Sequence, residues 1–282
     1  MEQDNSRAKL EELKRTLERI EAARVNGASI DEVDAALSQV DDLGRSIQAD
    51  NDKRVKFISY VTHELRLPMT SIMGYTDLLR KGIVGPVNEQ QLNFLNVIRN
   101  STERMSALVS DLSDLSKMDL GKLRLEIAAL PLDSYVKEVV HALQPKFVEK
   151  RQDFGIEIPA ELPKVYADPN RLLTVLRNLL SNACMYTFDG GRVRLIARSE
   201  DGWVRIEVSD TGIGISSDDQ SHIFQQFFRS EESYVREQQG WGLGLSVVKG
   251  LVELMGGNVG LDSRLREGST FWFTLPTNWS RG

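Results

Sequence analysis

Several short stretches carry side chains whose types and spacing suit chemistry. The first is Phe57-Ile58-Ser59-Tyr60-Val61-Thr62-His63-Glu64-Leu65-Arg66-Leu67-Pro68. Ile58, Val61, Leu65, Ile72, Tyr75 and Leu79 follow alternating three- and four-residue steps, with Pro68 filling the missing step. That is the heptad pattern of a helix packed in a bundle or coiled coil. His63 lies two residues past a seam position, so its imidazole is expected to point away from the packed face, with Glu64 and Arg66 beside it. An exposed imidazole next to a carboxylate suits proton transfer or nucleophilic attack. Taken alone, the same pattern equally describes a solvated surface histidine.

A second stretch, residues 172–183, places Asn178 and Asn182 four residues apart on one helix face while its leucines face a sheet. An asparagine amide oxygen is a hard, neutral ligand suited to Mg²⁺, which keeps waters and takes other oxygens from phosphates. Two solvent-facing asparagines would look the same. Ser209-Asp210-Thr211-Gly212-Ile213-Gly214-Ile215 follows an apolar strand. Asp210 at the strand end can accept from an exocyclic amine, and the glycines let backbone pass close under a flat ligand. Gly240-Trp241-Gly242-Leu243-Gly244-Leu245 then opens a helix, where free amides make a phosphate site. A glycine cluster alone is also a tight turn. A Rossmann reading fails because a polar loop, not a strand, leads into this turn, and there is no Gly-x-x-x-x-Gly-Lys-Ser/Thr run.

The elements that must position these residues fall into two regimes. Residues 6–25 read as an amphipathic helix with Leu10, Leu13, Leu17 and Ile20 on one face, ended near Asn26-Gly27. A capping box, Ser29-Ile30-Asp31-Glu32, starts the next helix. A seam of Ile30, Val33, Leu37, Val40, Gly44, Ile47, Asn51, Arg54 and Ile58 runs into the histidine stretch without a slip, predicting one helix over 30–81. The earlier seam is one residue out of phase with it. Such a seam suits either a signal-carrying rod or a plain dimerisation coil. A breaker-rich turn at 82–88 precedes a second helix with Leu92, Leu95, Ile98, Thr102, Met105, Val109 and Leu112 in heptad steps. The αα-hairpin exposes one apolar seam, which pairing into a four-helix bundle buries, so a homodimer is expected.

After Leu130-Pro131 the pattern changes. Segments 154–158, 193–199, 203–209, 258–262 and 270–275 read as strands, and 132–150, 170–184, 216–227 and 243–255 as helices. This order predicts a two-layer α/β sandwich over 131–282. Between Phe228 and Gly240 lies a polar, weakly patterned stretch expected to be a mobile lid. The charge of −6 gives no electrostatic reason for nucleic-acid binding. A single cysteine, Cys184, excludes an internal disulfide or a cysteine-rich metal site and fits a reducing compartment. No stretch approaches the ~20 apolar residues of a membrane span, and the polar start is no signal peptide. A cytoplasmic protein is expected, or the cytoplasmic portion of a receptor.

Taken in order, these stretches resemble the sensor histidine kinases of two-component signalling. His63-Glu64-Leu65-Arg66 is similar to that family's H box and Asn178 to Asn182 to its N box. Asp210-Thr211-Gly212-Ile213-Gly214 resembles the first glycine box, residues 223–229 the F box, and residues 240–244 the second glycine box. The resemblance covers about residues 52–277. It implies a dimerisation and histidine phosphotransfer domain (52–125) forming a dimeric four-helix bundle and a Bergerat-type ATP-binding domain (131–282), while the seam before them reads as an N-terminal helical signalling segment (1–51). It further implies that His63 accepts phosphate from ATP, that Glu64 takes the imidazole proton, and that a response regulator aspartate receives the phosphoryl group. By the same resemblance Asn182 binds Mg²⁺ with support from Asn178, and Asp210 reads adenine, assisted by Thr270. Gly212 and Gly214 shape the base pocket beside Tyr186, while Gly240, Gly242, Leu243 and Gly244 line the triphosphate. Arg229 offers charge to phosphates, with Arg192 as a substitute, and Phe224 and Phe227 anchor the lid. Three positions depart from the family pattern. Met185 stands where a lysine is usual, Trp241 where a small hydroxyl residue is common, and Leu67 where a polar residue helps remove phosphate, which implies weak phosphatase activity. An ATP-binding scaffold without transfer, or another Bergerat-type ATPase, are the alternatives.

Overall fold

The computed structural model describes residues 14, 15, 30–238 and 240–279. The expected first helix lies outside the described residues except at Lys14 and Arg15, which are helical. Ser29 of the expected capping box, and the seam side chains of Ile30, Val33, Ile47, Asn51 and Arg54, also lie outside them. The chain divides into two compact units, the first taking residues 1–103 and 119–122 and the second residues 104–118 and 123–282.

The first unit is a helical hairpin of α1 (Ile30–Arg80) and the start of α2 (Glu89–Asp119). Pro68 lies inside α1 and has no N–H for the Glu64 carbonyl one turn earlier. Nearby hydroxyls turn back on their own helix, Thr62 to Ile58 O (2.6 Å) and Thr70 to Arg66 O (2.8 Å). The connection uses Gly82 and Gly85 at positive φ. Helix α2 then opens with a reciprocal cap that the sequence pattern had not disclosed. The Gln91 amide donates to Asn88 Oδ1 and the Asn88 amide to Gln91 Oε1, both at 2.8 Å.

Within the hairpin the buried residues are Thr62, Met69 and Thr76 on α1 and Leu95 and Thr102 on α2. Leu65, Ile72, Tyr75 and Leu79, the expected seam, remain exposed, as do Leu92, Ile98 and Met105. In this part of α2 alternate heptad positions face opposite ways, Leu95 and Thr102 inward and Leu92, Ile98 and Met105 outward, while Val109 further along is buried. Arg80 donates to Asn96 Oδ1 (2.9 Å) and Arg99 pairs with Asp77 (3.3 Å) across the helices.

The second unit is a five-stranded sheet, order β2-β4-β5-β7-β6, with helices on one face. The elements are β1 (Ala128–Leu130), α3 (Leu132–Glu149), β2 (Asp153–Glu157), β3 (Val165–Ala167), α4 (Pro169–Tyr186), β4 (Arg192–Glu200), β5 (Trp203–Asp210), α5 (Ser217–Gln220), α6 (Ser233–Glu237), α7 (Gly244–Leu254), β6 (Val259–Arg264) and β7 (Gly268–Pro276). β2 runs parallel to β4 and the other pairs are antiparallel. Central β5 alternates strictly, Val204, Ile206 and Val208 facing the helices while Arg205 stacks over Trp272 at 4.2 Å on the far face. Leucines of α4 and aliphatic residues of α7 fill the layer between, each worth about 1.5–3 kcal/mol when fully buried. The expected two-layer α/β sandwich is observed.

One local expectation is corrected and two features are added. β1 and β3 form a separate two-stranded antiparallel sheet, each only three residues long and too short to show alternation. The helix expected over 216–227 stops at Gln220, and tight turns follow. Its apolar residues mimic helical spacing, but from Ser221 on the backbone closes three-residue turns, His222 N–H to Asp219 O and Gln225 N–H to His222 O (both 2.8 Å), in place of a continued helix. The lid stretch holds a short helix, α6.

Helix α4 starts with Pro169 in its first turn behind the N-cap Asp168. Asp168 Oδ1 accepts from the amides of Asn170 (3.0 Å) and Arg171 (3.1 Å), and Oδ2 accepts from the Glu126 amide (2.9 Å). Replacing Asp168 with Ala removes the cap and orphans the Glu126 amide, so a loss of about 2–4 kcal/mol is expected. A urea unfolding midpoint that drops with an unchanged m-value checks it.

Candidate nucleotide site

The second unit gathers the sequence-picked polar residues at one end of its helical layer. Asn178, Asn182 and Tyr186 follow at four-residue steps on α4, half-buried, while Leu172, Leu176, Leu179 and Leu180 are fully buried behind them. Asn178 Nδ2 donates to Thr174 O (3.1 Å), which turns Oδ1 toward the start of α7. A Cβ on Gly244 would lie 2.7 Å from that Oδ1, so a side chain there would push the Asn178 amide aside. No side chain caps α7, leaving its first amides without the usual side-chain acceptor. Leu243, just before, is buried in the core and offers the site its backbone alone. Among the described residues no side-chain hydrogen bond reaches the amide of Asn182.

At the end of β5, Asp210 is buried, and its Oδ1 accepts from the Gly212 amide at 2.8 Å. Burial pushes its carboxyl up to about 6, against the opposing pull of the Gly212 and Ser269 amides. Thr270, on the neighbouring strand, donates to Ser209 Oγ at 2.9 Å. The glycines of this loop are used by protein neighbours. A Cβ on Gly212 would sit 2.3 Å from Tyr186 O, and one on Gly214, at φ 66, would sit 1.9 Å from Arg264 O. The loop is thereby pressed between α4 and the end of β6. Burial also raises the Tyr186 phenol, with the Arg229 charge opposing.

The lid is built around Arg229. Its guanidinium donates to Val235 O (2.5 Å), Gln238 O (2.6 Å) and Gly240 O (2.7 Å), so the side chain expected to face phosphates closes the loop on itself. Arg192 pairs instead with Asp153 at 3.6 Å. Phe224 packs edge-on against Phe271 with centroids 6.5 Å apart. Phe227, expected beside it as an anchor, is 62% exposed, because its left-handed backbone turns the ring outward and seats Phe228 against the core instead. Tyr234 of α6 packs on Phe188 (5.0 Å), a contact that the sequence did not flag. Gly240 is open to space, Trp241 is exposed, and Met185 is half-buried.

In the first unit the His63 side chain is 68% exposed, and its Nδ1 lies 3.5 Å from Glu64 Oε1. Among the described residues no cluster of three or more His, Cys, Asp or Glu side chains gathers to hold a metal, and no helix is long and apolar enough to cross a membrane.

Comparison with known proteins gives two family matches. Residues 53–121 match the His Kinase A (phospho-acceptor) domain, and residues 167–278 the histidine kinase-, DNA gyrase B- and HSP90-like ATPase. The circadian input-output histidine kinase CikA of Synechococcus elongatus is 35% identical over 81% of this chain and 31% of that protein. The signal transduction histidine-protein kinase BarA of Escherichia coli is 33% identical over 94% of this chain and 28% of BarA. The chain thus spans less than a third of the length of these curated relatives. Among solved structures, full-length ShkA in complex with AMPPNP superposes with a TM-score of 0.65 at 29% identity, covering 78% of this chain and 45% of ShkA. The histidine kinase AdeS of Acinetobacter baumannii, 24% identical with a TM-score of 0.55, shares the fold over 77% of this chain and 98% of that one.

The three carbonyl bonds of Arg229 make a direct expectation. Arg229→Ala frees the segment 231–238, whose amide exchange should quicken by about tenfold or more, as for a loop that loses its local closure. Exchange in β4, β5 and β7 should stay unchanged.

Proposed function

The chain belongs to the sensor histidine kinases of two-component signalling, and we propose that it moves the γ-phosphoryl group of Mg·ATP to its own His63 and then to an aspartate of a response regulator. One observation carries most of this: the N-terminus of α7 lies against Asn178, one turn of α4 from Asn182, and among the described residues neither that helix start nor the Asn182 side-chain amide has a side-chain partner. Free amides at a helix start, beside neutral oxygen ligands, suit a triphosphate with its metal. ATP binding is further supported by the ATPase family match and by the AMPPNP complex of ShkA.

In this proposal Asp210 accepts from the adenine amine, with Thr270 beside it on β7, and Gly212 and Gly214 shape the base pocket next to Tyr186. Phe224 seats the lid and Arg229 holds it closed from within. Gly240, Gly242 and the backbone of Leu243 and Gly244 border the phosphates. Asn182, supported by Asn178, would hold Mg²⁺, which when bound offsets charge developing on the phosphate oxygens. At His63, Glu64 faces Nδ1 and keeps the proton there, leaving the Nε2 lone pair as nucleophile. The Nε2–phosphorus bond forms as the bond from phosphorus to the bridging oxygen breaks, ADP leaves, and the Nδ1 proton passes to Glu64. Phosphoryl transfer asks mainly for positioning and charge, which this set supplies. The exposed seam of Leu65, Ile72, Leu79, Leu92, Ile98 and Met105 supports a homodimer, and work on ATP and a regulator supports a cytoplasmic setting.

A second reading has its own observation. Met185 supplies no cation, and the two arginines expected to compensate are engaged elsewhere, Arg229 with carbonyls and Arg192 with Asp153. A scaffold that holds ATP without transferring phosphate fits that arrangement, and normal ATP affinity with no phosphohistidine would select it.

Incubation with γ-labelled ATP should give acid-labile label on the wild type and none on His63→Gln; acid-stable label, or label on the variant, refutes the kinase. The second expectation concerns pH. Ionised Asp210 is the stronger acceptor for the amine, and burial pushes its carboxyl up to about 6. ATP affinity should therefore hold above pH 7 and fall about tenfold at pH 5, one unit below the midpoint. Asp210→Asn should bind more weakly and flatten that profile in calorimetric titrations.

A further inference from the structure

The turn between α3 and β2 touches the far end of the helix that carries Asn178 and Asn182. Helix α3 closes in the Schellman manner: the Gln152 amide donates to Phe147 O (2.9 Å), and Arg151 holds the left-handed position usual for glycine, at φ 51. Both residues flanking it reach the C-terminal turn of α4. Lys150 Nζ donates to the carbonyls of Cys184 (2.9 Å), Met185 (3.0 Å) and Thr187 (2.7 Å). Gln152 Nε2 donates to Cys184 O (3.0 Å) and Thr187 O (2.8 Å). Carbonyls at a helix end lack intrahelical donors and carry the negative pole of the helix dipole, so an ammonium there satisfies both needs. Lys150 O in turn accepts from the Gly190 amide (2.9 Å), which ties the following turn to the same point. Gln152 and Thr187 are buried, so this clamp works away from water.

The clamped segment is where two parts of the candidate nucleotide site rest. Tyr186 O accepts from the Ile213 amide (3.2 Å) and stops the glycine loop at Gly212, where a Cβ would be 2.3 Å away. Phe188 carries Tyr234 of the lid. A shift of residues 184–188 would therefore move the base pocket and the lid together.

We propose that Lys150 and Gln152 are positioning residues for nucleotide binding, acting through the end of α4 on the glycine loop and the lid. Neither needs to touch the nucleotide. Their role rests on the kinase reading above.

The test uses the full chain, with ATP affinity by calorimetry and steady-state autophosphorylation of His63. Lys150→Met should raise the ATP Kd about tenfold, an ordinary coupling between contiguous sites. The rate at saturating ATP should change less than about twofold, since a misplaced pocket costs binding before it costs transfer. Lys150→Arg, which keeps a cation at the carbonyls, should recover most of the affinity. Gln152→Met, which keeps the side-chain length without its N–H groups, should raise Kd about threefold, a smaller coupling of the same kind. It serves as the test variant should Lys150→Met not fold. Folded variants with wild-type affinity overturn the proposal, as does an equal loss of affinity and saturated rate, or a failure of arginine to rescue. Wild-type protein that binds no ATP overturns the kinase reading instead.

Discussion

Burial of Leu172, Val175, Leu176, Leu179 and Leu180 beneath the sheet fixes the rotation of α4 about its axis, and the candidate site depends on that rotation. With the aliphatic stripe committed, Asn178, Asn182 and Tyr186 have one direction left, toward the glycine loop and the start of α7. The position of the helix along its axis is set by side chains from other elements. The buried Asp168 caps the first turn, and Arg171 in that turn pairs with Asp114 of α2 at 2.6 Å. Lys150 and Gln152 collect the carbonyls of the last turn. A rotation of one residue, about 100°, would put an asparagine under the sheet and a leucine in the site, each costing several kcal/mol. The hydrophobic core and the polar site are thus one constraint seen from two sides of a helix.

The glycines extend the same logic to the loops. In the sequence they read as room left for a ligand. In the structure the room at Gly212, Gly214 and Gly242 is taken by Tyr186 O, Arg264 O and the backbone of Phe227 and Phe228. Their missing side chains let backbone segments meet at distances no Cβ tolerates. Asp210 is held in this compacted loop, where burial disfavours its charge while the Gly212 and Ser269 amides partly restore it. A carboxylate kept ionised only by fixed amide dipoles is an acceptor ready for a donor, which is what its proposed contact with adenine requires.

Much of this was legible because it rests on periodicity. The α4 and α7 stripes, the alternation of β5 and β7 and the two hairpin helices all follow from 3.6- or 2-residue repeats in long segments. What escaped was set by other forces. β1 and β3 are too short to carry a repeat, and the reciprocal cap of Asn88 and Gln91 starts inside a stretch that reads as a breaker-rich turn. The 216–227 segment carried a helical spacing, but its backbone leaves the helix after Gln220 for a run of tight turns. Arg229 was read by its charge and turned out to be spent on carbonyls, because a loop of this length leaves backbone groups that something must satisfy. Lys150 and Gln152 were passed over since their partners lie more than thirty residues away and are all backbone, which no side-chain pattern can reveal.

The hairpin shows how a single heptad pattern serves two interfaces. Small or flexible residues, Thr62, Met69 and Thr76, occupy the inner contact of α1, so the two helices of one chain approach through modest side chains. The larger Leu65, Ile72, Tyr75 and Leu79 are left outside, a quantity of apolar surface that a lone hairpin cannot bury. Placing the bulky residues outward shifts most of the available hydrophobic free energy from the intrachain contact to whatever covers that face. A hairpin built this way leaves its larger apolar side chains for an associating surface, in agreement with the proposed homodimer. His63, 68% exposed on the same helix, stays outside the intrachain contact that Thr62, Met69 and Thr76 make.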